Sequence, residues 1–132
     1  THDDIGDALL AGATGILGIC PLHTETLAVA PDDRLEDITA HANQLLEQLQ
    51  ENSSVLILTD LLGSTPSNVA GALQKSGEVH VVAGLNLPML IKVLSHASPD
   101  LQCLTDVAIE GGRQGILQGV AQTVYPIASA NK

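Results

Sequence analysis

Aromatic residues are nearly absent from this chain of 132 residues, which has no Trp, no Phe and a single Tyr. Aliphatic side chains must therefore fill the interior, and hydrophobic residues make up 45% of the sequence. A chain of this length is large enough to bury a core as one domain. We expect residues 1–132 to form a single domain with an aliphatic core.

Basic residues are also scarce. Five Lys and Arg stand against 15 Asp and Glu, so the formal net charge is −10. Binding to nucleic acid or to an anionic membrane depends on clustered Lys and Arg, and this composition argues against both. Two interpretations of the acidity stay open: it steers basic protein partners toward the surface, or it only keeps the protein soluble.

Signals for metals, nucleotides and membranes are missing as well. The two cysteines, Cys20 and Cys103, lack metal-binding spacing, and we expect them to be reduced thiols in a cytoplasmic protein. No apolar run reaches transmembrane length, and no signal peptide is recognisable. Walker A and G-x-G-x-x-G motifs do not occur. We therefore expect no cofactor, no metal and no direct membrane insertion.

Short apolar runs alternate with helical patterns along the chain, which is typical of βαβ units with right-handed crossovers. The predicted fold class is α/β: three layers, α/β/α, around a mostly parallel central sheet. The predicted strands are 27–30, 55–59 and 79–83, with 123–127 as a C-terminal edge or exchanged strand. The predicted helices are 5–17, a longer one that Asp32 or Asp33 caps and that runs to about residue 50, 66–74, 88–97 and 99–110, the last one stopping at Gly111-Gly112.

The most informative segment is TDLLGSTPSN, residues 59–68. Asp60 directly follows a buried strand, Gly63 and Ser64 form a turn, and Pro66 opens a helix for which Thr65 is a good N-cap. Open α/β sheets bind ligands at such strand ends, and a helix N-terminus offers free N–H groups to an anion. The segment therefore predicts a phosphate site, although its polar residues could also serve only as caps.

A second loop repeats this pattern after the strand at 79–83. Asn86 can cap a helix that Pro88 opens, and the loop should lie at the same sheet edge as Asp60. Apolar residues of the two loops would surround the polar site: Leu61, Leu62, Leu85, Leu87 and Met89. Exposed apolar surface beside a reactive group suits docking of another protein, which we assign to Leu61, Leu62, Asn86 and Leu87.

His2 is the candidate nucleophile. It precedes a helix that Asp3 or Asp4 can cap, and no strand lies ahead of it in a position where an α/β sheet needs one. With a strand upstream, His2 would stand level with Asp60, whose carboxylate would fix one ring nitrogen and leave the other free. The alternative is a frayed terminal residue without function. The other histidines are scattered, and we expect structural or surface roles for them.

Four motifs in this order resemble a known family: Thr1-His2 before an amphipathic helix, TDLLGSTPSN, AGLNLPML and EGGRQGI. The chain resembles, from Thr1 to about Leu117, the IIA component of the mannose/fructose-type phosphotransferase system (the mannose superfamily). The resemblance implies that His2 accepts a phosphoryl group from the carrier HPr and passes it to a IIB protein or domain.

The same resemblance assigns supporting roles. Asp60 would orient His2, and Thr65-Pro66, with Gly63 and Ser64 in the turn, would receive the phosphoryl group. It also implies a first strand upstream of Thr1, which gives a strand order of 2-1-3-4, and a homodimer that exchanges the final strand.

Two other functions stay open on the sequence. One is a regulatory phosphoprotein of the same fold that reports phosphorylation state and drives no sugar import. The other is a receiver-like switch phosphorylated on Asp60, with Asp3 and Asp4 as its acid pair, which would need Mg²⁺.

Overall fold

The computed structural model describes residues 1–20, 22–50, 54–74, 78–96 and 98–119. Helices and strands alternate in the middle of the chain, as the sequence predicts. Their bounds are α1 (Ile5–Leu17), α2 (Leu35–Gln50), β1 (Val55–Thr59), α3 (Thr65–Leu73), β2 (Val79–Ala83), α4 (Leu87–Ser95) and α5 (Leu101–Gln114).

The two strands β1 and β2 pair in parallel, with Val55 opposite Val79 and Thr59 opposite Ala83. Both strands and the α/β class are confirmed. The predicted strand at 27–30 is wrong in its extent, since only an isolated parallel bridge between His2 and Val29 forms there. Its partner in the described chain is the short segment 1–3, too short for a longer ladder. The strand order 2-1-3-4 and the homodimer stay predictions, and the candidate strand 123–127 lies outside the described residues.

Helices cover both faces of the sheet, as three layers require. On one face, α2 and α3 pack with Val29 in a cluster built on Ile38, Ala42 and Val69. On the other face, Leu56 and Leu58 of β1 pack against the buried side chains of α4, α5 and α1. Alternate residues of a strand point to opposite faces, so β1 is covered on both.

Helix α5 continues through Gly111 and Gly112 to Gln114, so the predicted stop at this pair is wrong. Both glycines are buried against α4. A Cβ at Gly111 would lie 2.8 Å from Cβ of Lys92, and one at Gly112 would lie 2.9 Å from Cε of Met89. The glycines therefore allow a close approach of two helices instead of ending one.

Candidate functional site

Asp60 and His2 are brought together by two different parts of the fold. Asp60 directly follows β1, and His2 belongs to the bridged segment before α1. Oδ2 of Asp60 accepts a hydrogen bond from the backbone N–H of His2 at 2.9 Å and lies 2.8 Å from its ring Nδ1. Oδ1 accepts from the backbone N–H of Leu61 at 3.0 Å. Both carboxylate oxygens are thus held.

Burial and hydrogen bonding act in opposite directions on the pKa of the Asp60 carboxyl. Partial burial has the largest single effect and raises this pKa. Asp60 accepts hydrogen bonds from the backbone and the ring of His2 and one from its own backbone N–H, and it is attracted by the charge of His2. Together these interactions outweigh burial, so the pKa of Asp60 is lowered. Asp60 is therefore a carboxylate at neutral pH and can only accept. In the neutral imidazole, the proton of the contact therefore lies on Nδ1 of His2, and Nε2 keeps a lone pair.

The imidazole is accessible while the carboxylate is shielded. The side chain of His2 is 42% exposed and that of Asp60 is 13% exposed. A nucleophile needs a free lone pair that a substrate can reach, whereas an orienting carboxylate works best away from water. The exposure of the two side chains suits this division of roles.

Thr1 caps the first turn of α1, which the sequence patterns did not indicate. Its hydroxyl Oγ1 accepts a hydrogen bond from the backbone N–H of Gly6 at 2.9 Å, in the first turn of α1. Asp4 occupies the N-cap position, as predicted, but its side chain makes no cap hydrogen bond there. A Cβ at Gly6 would lie 3.0 Å from this hydroxyl. The pairing of Thr1 with a small residue five positions later was the available signal.

The turn after Asp60 is held by its own side chains. Gly63 has a φ of 86°, in the left-handed region, and its N–H donates to Oγ of Ser67 at 3.3 Å. The hydroxyl of Ser64 donates to the carbonyl of Leu61 at 2.6 Å and does not cap α3. Helix α3 begins one residue earlier than predicted, at Thr65, with Ser64 at the N-cap position and Pro66 buried behind it. The N–H of Thr65 lies in the first turn, where no intrahelical acceptor is available.

The loop after β2 lies at the same sheet edge, as predicted, because the N–H of Leu85 donates to the carbonyl of Thr59 at 3.0 Å. Asn86 caps α4 by accepting from the N–H of Met89 at 2.9 Å, and its Nδ2 donates to the carbonyl of Gly112 at 3.1 Å. The amide of Asn86 therefore ties the loop to α5 and is already engaged on both sides.

The apolar residues predicted around the site divide into two groups. Leu61 and Leu62 are 62% and 79% exposed, and they form the open surface beside Asp60. Leu85 and Leu87 are half-buried against the core. Met89 is 3% exposed, so its predicted place on the surface is wrong. It faces α5 because the glycines of that helix make room for it.

The remaining histidines lie apart from this site. His23 pairs with Glu25 at the surface, at 3.0 Å. Nδ1 of His80 contacts the hydroxyl of Thr105 at 2.8 Å, and Nε2 of His96 lies 3.5 Å from Sγ of Cys103. Cys20 and Cys103 are both free thiols. In the described ranges, no three His, Cys, Asp or Glu side chains are placed to hold a metal ion together.

Residues 1–108 match the family of IIA domains described as "PTS system fructose IIA component". This chain belongs to that family. Membership places the chain among the IIA components of the mannose type, as its four motifs predict.

Individual relatives of this IIA chain carry names from the same family. The mannose-specific EIIAB component of Escherichia coli K12 is 30% identical over 133 aligned residues, which cover 98% of this chain and 41% of the relative. The chain thus spans about two-fifths of the length of the curated EIIAB relatives that it matches. The fructose-specific EIIA component of Bacillus subtilis is 39% identical over 54 residues, which are 40% of this chain and 37% of that relative.

Solved structures give the same fold. The mannose/sorbose-specific IIA subunit from Enterococcus faecalis superposes with a TM-score of 0.82 at 25% identity, covering 94% of this chain and 93% of that one. The EIIA component from Streptococcus agalactiae gives a TM-score of 0.73 at 27% identity, covering 89% and 91% of the two chains. Within the part of this IIA chain that the structure describes, no helix combines the length and the apolar character needed to cross a membrane.

The hydrogen bonds of Asp60 predict its titration. We expect the Asp60 carboxyl to titrate below the ordinary value of 3.8. Because the folded pKa is lowered, charged Asp60 stabilises the fold above the unfolded pKa, and that contribution is lost as the pH falls through the folded value. Carbon-13 NMR of the carboxyl measures the midpoint directly.

His2→Ala should raise this midpoint, because it removes the ring hydrogen bond and the attraction to the imidazole. His23→Ala, which removes a surface histidine that is paired elsewhere, should leave it unchanged. A wild-type midpoint at or above 3.8, or equal midpoints in wild type and His2→Ala, would contradict the assignment.

Proposed function

We propose that this protein is a phosphocarrier that accepts a phosphoryl group from phospho-HPr on Nε2 of His2 and passes it to a IIB protein or domain. The observation that carries the proposal is the contact of 2.8 Å between Nδ1 of His2 and Oδ2 of Asp60, which leaves Nε2 unprotonated on an accessible ring. Family membership supports the general role, and the contact supports Nε2 as the attacking atom.

The transfer is an in-line displacement at phosphorus. The lone pair of Nε2 forms the new N–P bond while the bond between phosphorus and the donor breaks. The imidazole gains positive charge in this step and keeps its proton on Nδ1. The adjacent Asp60 carboxylate stabilises that charge, so positioning and electrostatics account for the catalysis. In the step to IIB, a nucleophile of the acceptor forms the new bond to phosphorus while the N–P bond breaks and Nε2 regains its lone pair.

The turn before α3 is proposed to receive the phosphoryl oxygens. Thr65 is the best-placed donor, because its N–H belongs to the open first turn of a helix of nine residues and its side chain is exposed. Gly63 and Ser64 shape the turn, and their N–H and hydroxyl would have to leave Ser67 and Leu61 to bind an oxygen. Their part in phosphoryl binding is therefore secondary to that of Thr65.

Partner docking is proposed for the exposed apolar surface of Leu61 and Leu62, which flanks the Asp60–His2 pair. Leu87 extends it only in part because it is half-buried. Asn86 shapes the loop through its two hydrogen bonds. The acidic protein surface would favour a basic donor, and the free thiols suit a reducing cytoplasm.

The direct test is phosphorylation by phosphoenolpyruvate, enzyme I and HPr. Wild type should be labelled, and His2→Ala should not. Asp60→Ala should be labelled about 100-fold more slowly, because its imidazole is no longer held in the reactive orientation and tautomer. His41→Ala, in the exposed part of α2, is the control and should match wild type.

The chemical stability of the label and its onward transfer complete this test. Phosphohistidine is lost in acid and survives alkali, whereas an aspartyl phosphate, as in a receiver-like protein, is lost in alkali. The phosphorylated protein should also pass its label to a mannose-type IIB. Undiminished labelling of His2→Ala, an alkali-labile bond, or a label that no IIB accepts would overturn the proposal.

The docking surface has its own prediction. Leu61→Ser should lower kcat/KM for phospho-HPr about 10-fold, mainly through KM, because burial of a leucine side chain contributes about 1.5–3 kcal/mol. Ile19→Ser is a matched control: Ile19 is 57% exposed, against 62% for Leu61, but follows the far end of α1. Steady-state transfer rates measure the difference. Equal losses in both variants would argue against docking at Leu61.

A further inference from the structure

Asp3 is the one non-glycine residue with a positive φ in the part of the chain that the structure describes. Its φ is 42°, and the residues that share a positive φ with it are Gly18, Gly63 and Gly84. A residue with a Cβ is strained in this left-handed region, whereas glycine is not. The chain therefore carries an acidic side chain at a position whose backbone conformation favours glycine.

Backbone hydrogen bonds hold this conformation on both sides of Asp3. The N–H of Asp3 donates to the carbonyl of Val29 at 2.9 Å, and the N–H of Ile5 donates to the carbonyl of His2 at 3.2 Å. Asp3 is thus fixed in the turn between His2 and α1. Residues with strained backbone cluster at functional sites, and this one directly follows the candidate nucleophile.

The side chain of Asp3 has no structural contact that would explain its presence. It is exposed, and its carboxylate forms neither a hydrogen bond nor an ion pair with any residue that the structure describes. Asp33 and Asp100, by contrast, accept hydrogen bonds from the backbone N–H groups of Ala30 and Gln102. What the Asp3 side chain contributes is therefore its negative charge.

That charge lies near the atom that would carry the phosphoryl group. Consecutive Cα atoms are about 3.8 Å apart, so the Asp3 carboxylate and the ring of His2 stay within roughly 10 Å of each other. This distance is about one Debye length at 0.1 M ionic strength. A phosphoryl group on Nε2 of His2 is an anion, and the Asp3 carboxylate repels it, whereas a neutral imidazole carries no charge to repel.

We propose that Asp3 raises the phosphoryl-transfer potential of phosphorylated His2, so that the phosphoryl group passes on readily to its acceptor. The inference rests on the proposed phosphocarrier function and concerns the energetics of that reaction. When HPr is the donor, its bond to phosphorus breaks as the bond from Nε2 of His2 forms, and the reverse step restores both groups. The charge of Asp3 disfavours the phosphorylated side of this exchange.

The test compares Asp3→Asn with wild type in the equilibrium of phosphoryl exchange with HPr. Asparagine removes the charge and, like aspartate, tolerates the left-handed region. The equilibrium constant should shift about 4-fold toward the phosphorylated protein at about 0.05 M salt. The shift should fall below about 2-fold at 1 M salt, where the Debye length is about 3 Å. The matched control is Asp106→Asn, which removes an exposed carboxylate on α5 and should match wild type.

A second variant, Asp3→Gly, separates the charge from the backbone conformation. It removes the same carboxylate and relieves the strain at a φ of 42°, so its exchange equilibrium should equal that of Asp3→Asn. Its midpoint of thermal unfolding should stay at or above that of wild type. Lower midpoints in both variants would mean that the carboxylate serves the fold, and would overturn the proposal.

Phosphoramidate, a small anionic donor, tests Asp3 without HPr or IIB. Labelling of His2, followed by mass spectrometry, should be about 4-fold faster in Asp3→Asn than in wild type at low salt, because the incoming anion is no longer repelled. If HPr fails to label wild type while this difference holds, the phosphocarrier proposal falls and the effect of Asp3 stands.

Several outcomes would overturn the assignment of Asp3. These are equal exchange equilibria or equal phosphoramidate rates in wild type and Asp3→Asn, a difference that persists at 1 M salt, and an equal shift in Asp106→Asn. A change confined to KM for phospho-HPr would also overturn it, because the charge would then act in docking and not on the phosphoryl group.

Discussion

The carboxylate of Asp60 is the contact on which the geometry of the site depends. One of its oxygens holds both the backbone and the ring of His2, and the other holds the turn that follows β1. A single group therefore joins two segments 58 positions apart in the chain. Because the carboxylate can only accept hydrogen bonds, it also determines which ring nitrogen carries the proton. The Asp60 carboxylate thus determines both the position of His2 and the tautomer of its ring.

The scaffold around this contact is built from close approaches rather than large side chains. The chain has no Trp or Phe, and the glycines of α5 bring that helix against Lys92 and Met89 of α4. Asn86 then bonds to both helices and fixes the loop after β2 at the sheet edge. Leu61 and Leu62 remain as the exposed apolar surface next to the Asp60–His2 pair, for which we propose partner docking.

Local signals in the sequence were sufficient for part of this structure. Apolar runs predict the strands at 55–59 and 79–83, and both are confirmed. A glycine predicts the end of α1 at Gly18, which is also confirmed, with Gly18 in the left-handed region. The continuation of α5 through Gly111 and the burial of Met89 depend on the packing of α5 against α4, which the spacing of apolar residues within one helix does not indicate. The cap by Thr1 and the reduced strand at 27–30 likewise depend on pairing partners far away in the chain.

The central claim is that Asp60 holds His2 with its proton on Nδ1 and a lone pair on Nε2. Nitrogen-15 NMR of the imidazole at neutral pH measures this tautomer in the resting protein. We predict a protonated Nδ1 and an unprotonated Nε2 in wild type, with that preference lost in Asp60→Ala. A wild-type imidazole that carries its proton on Nε2 would contradict the account.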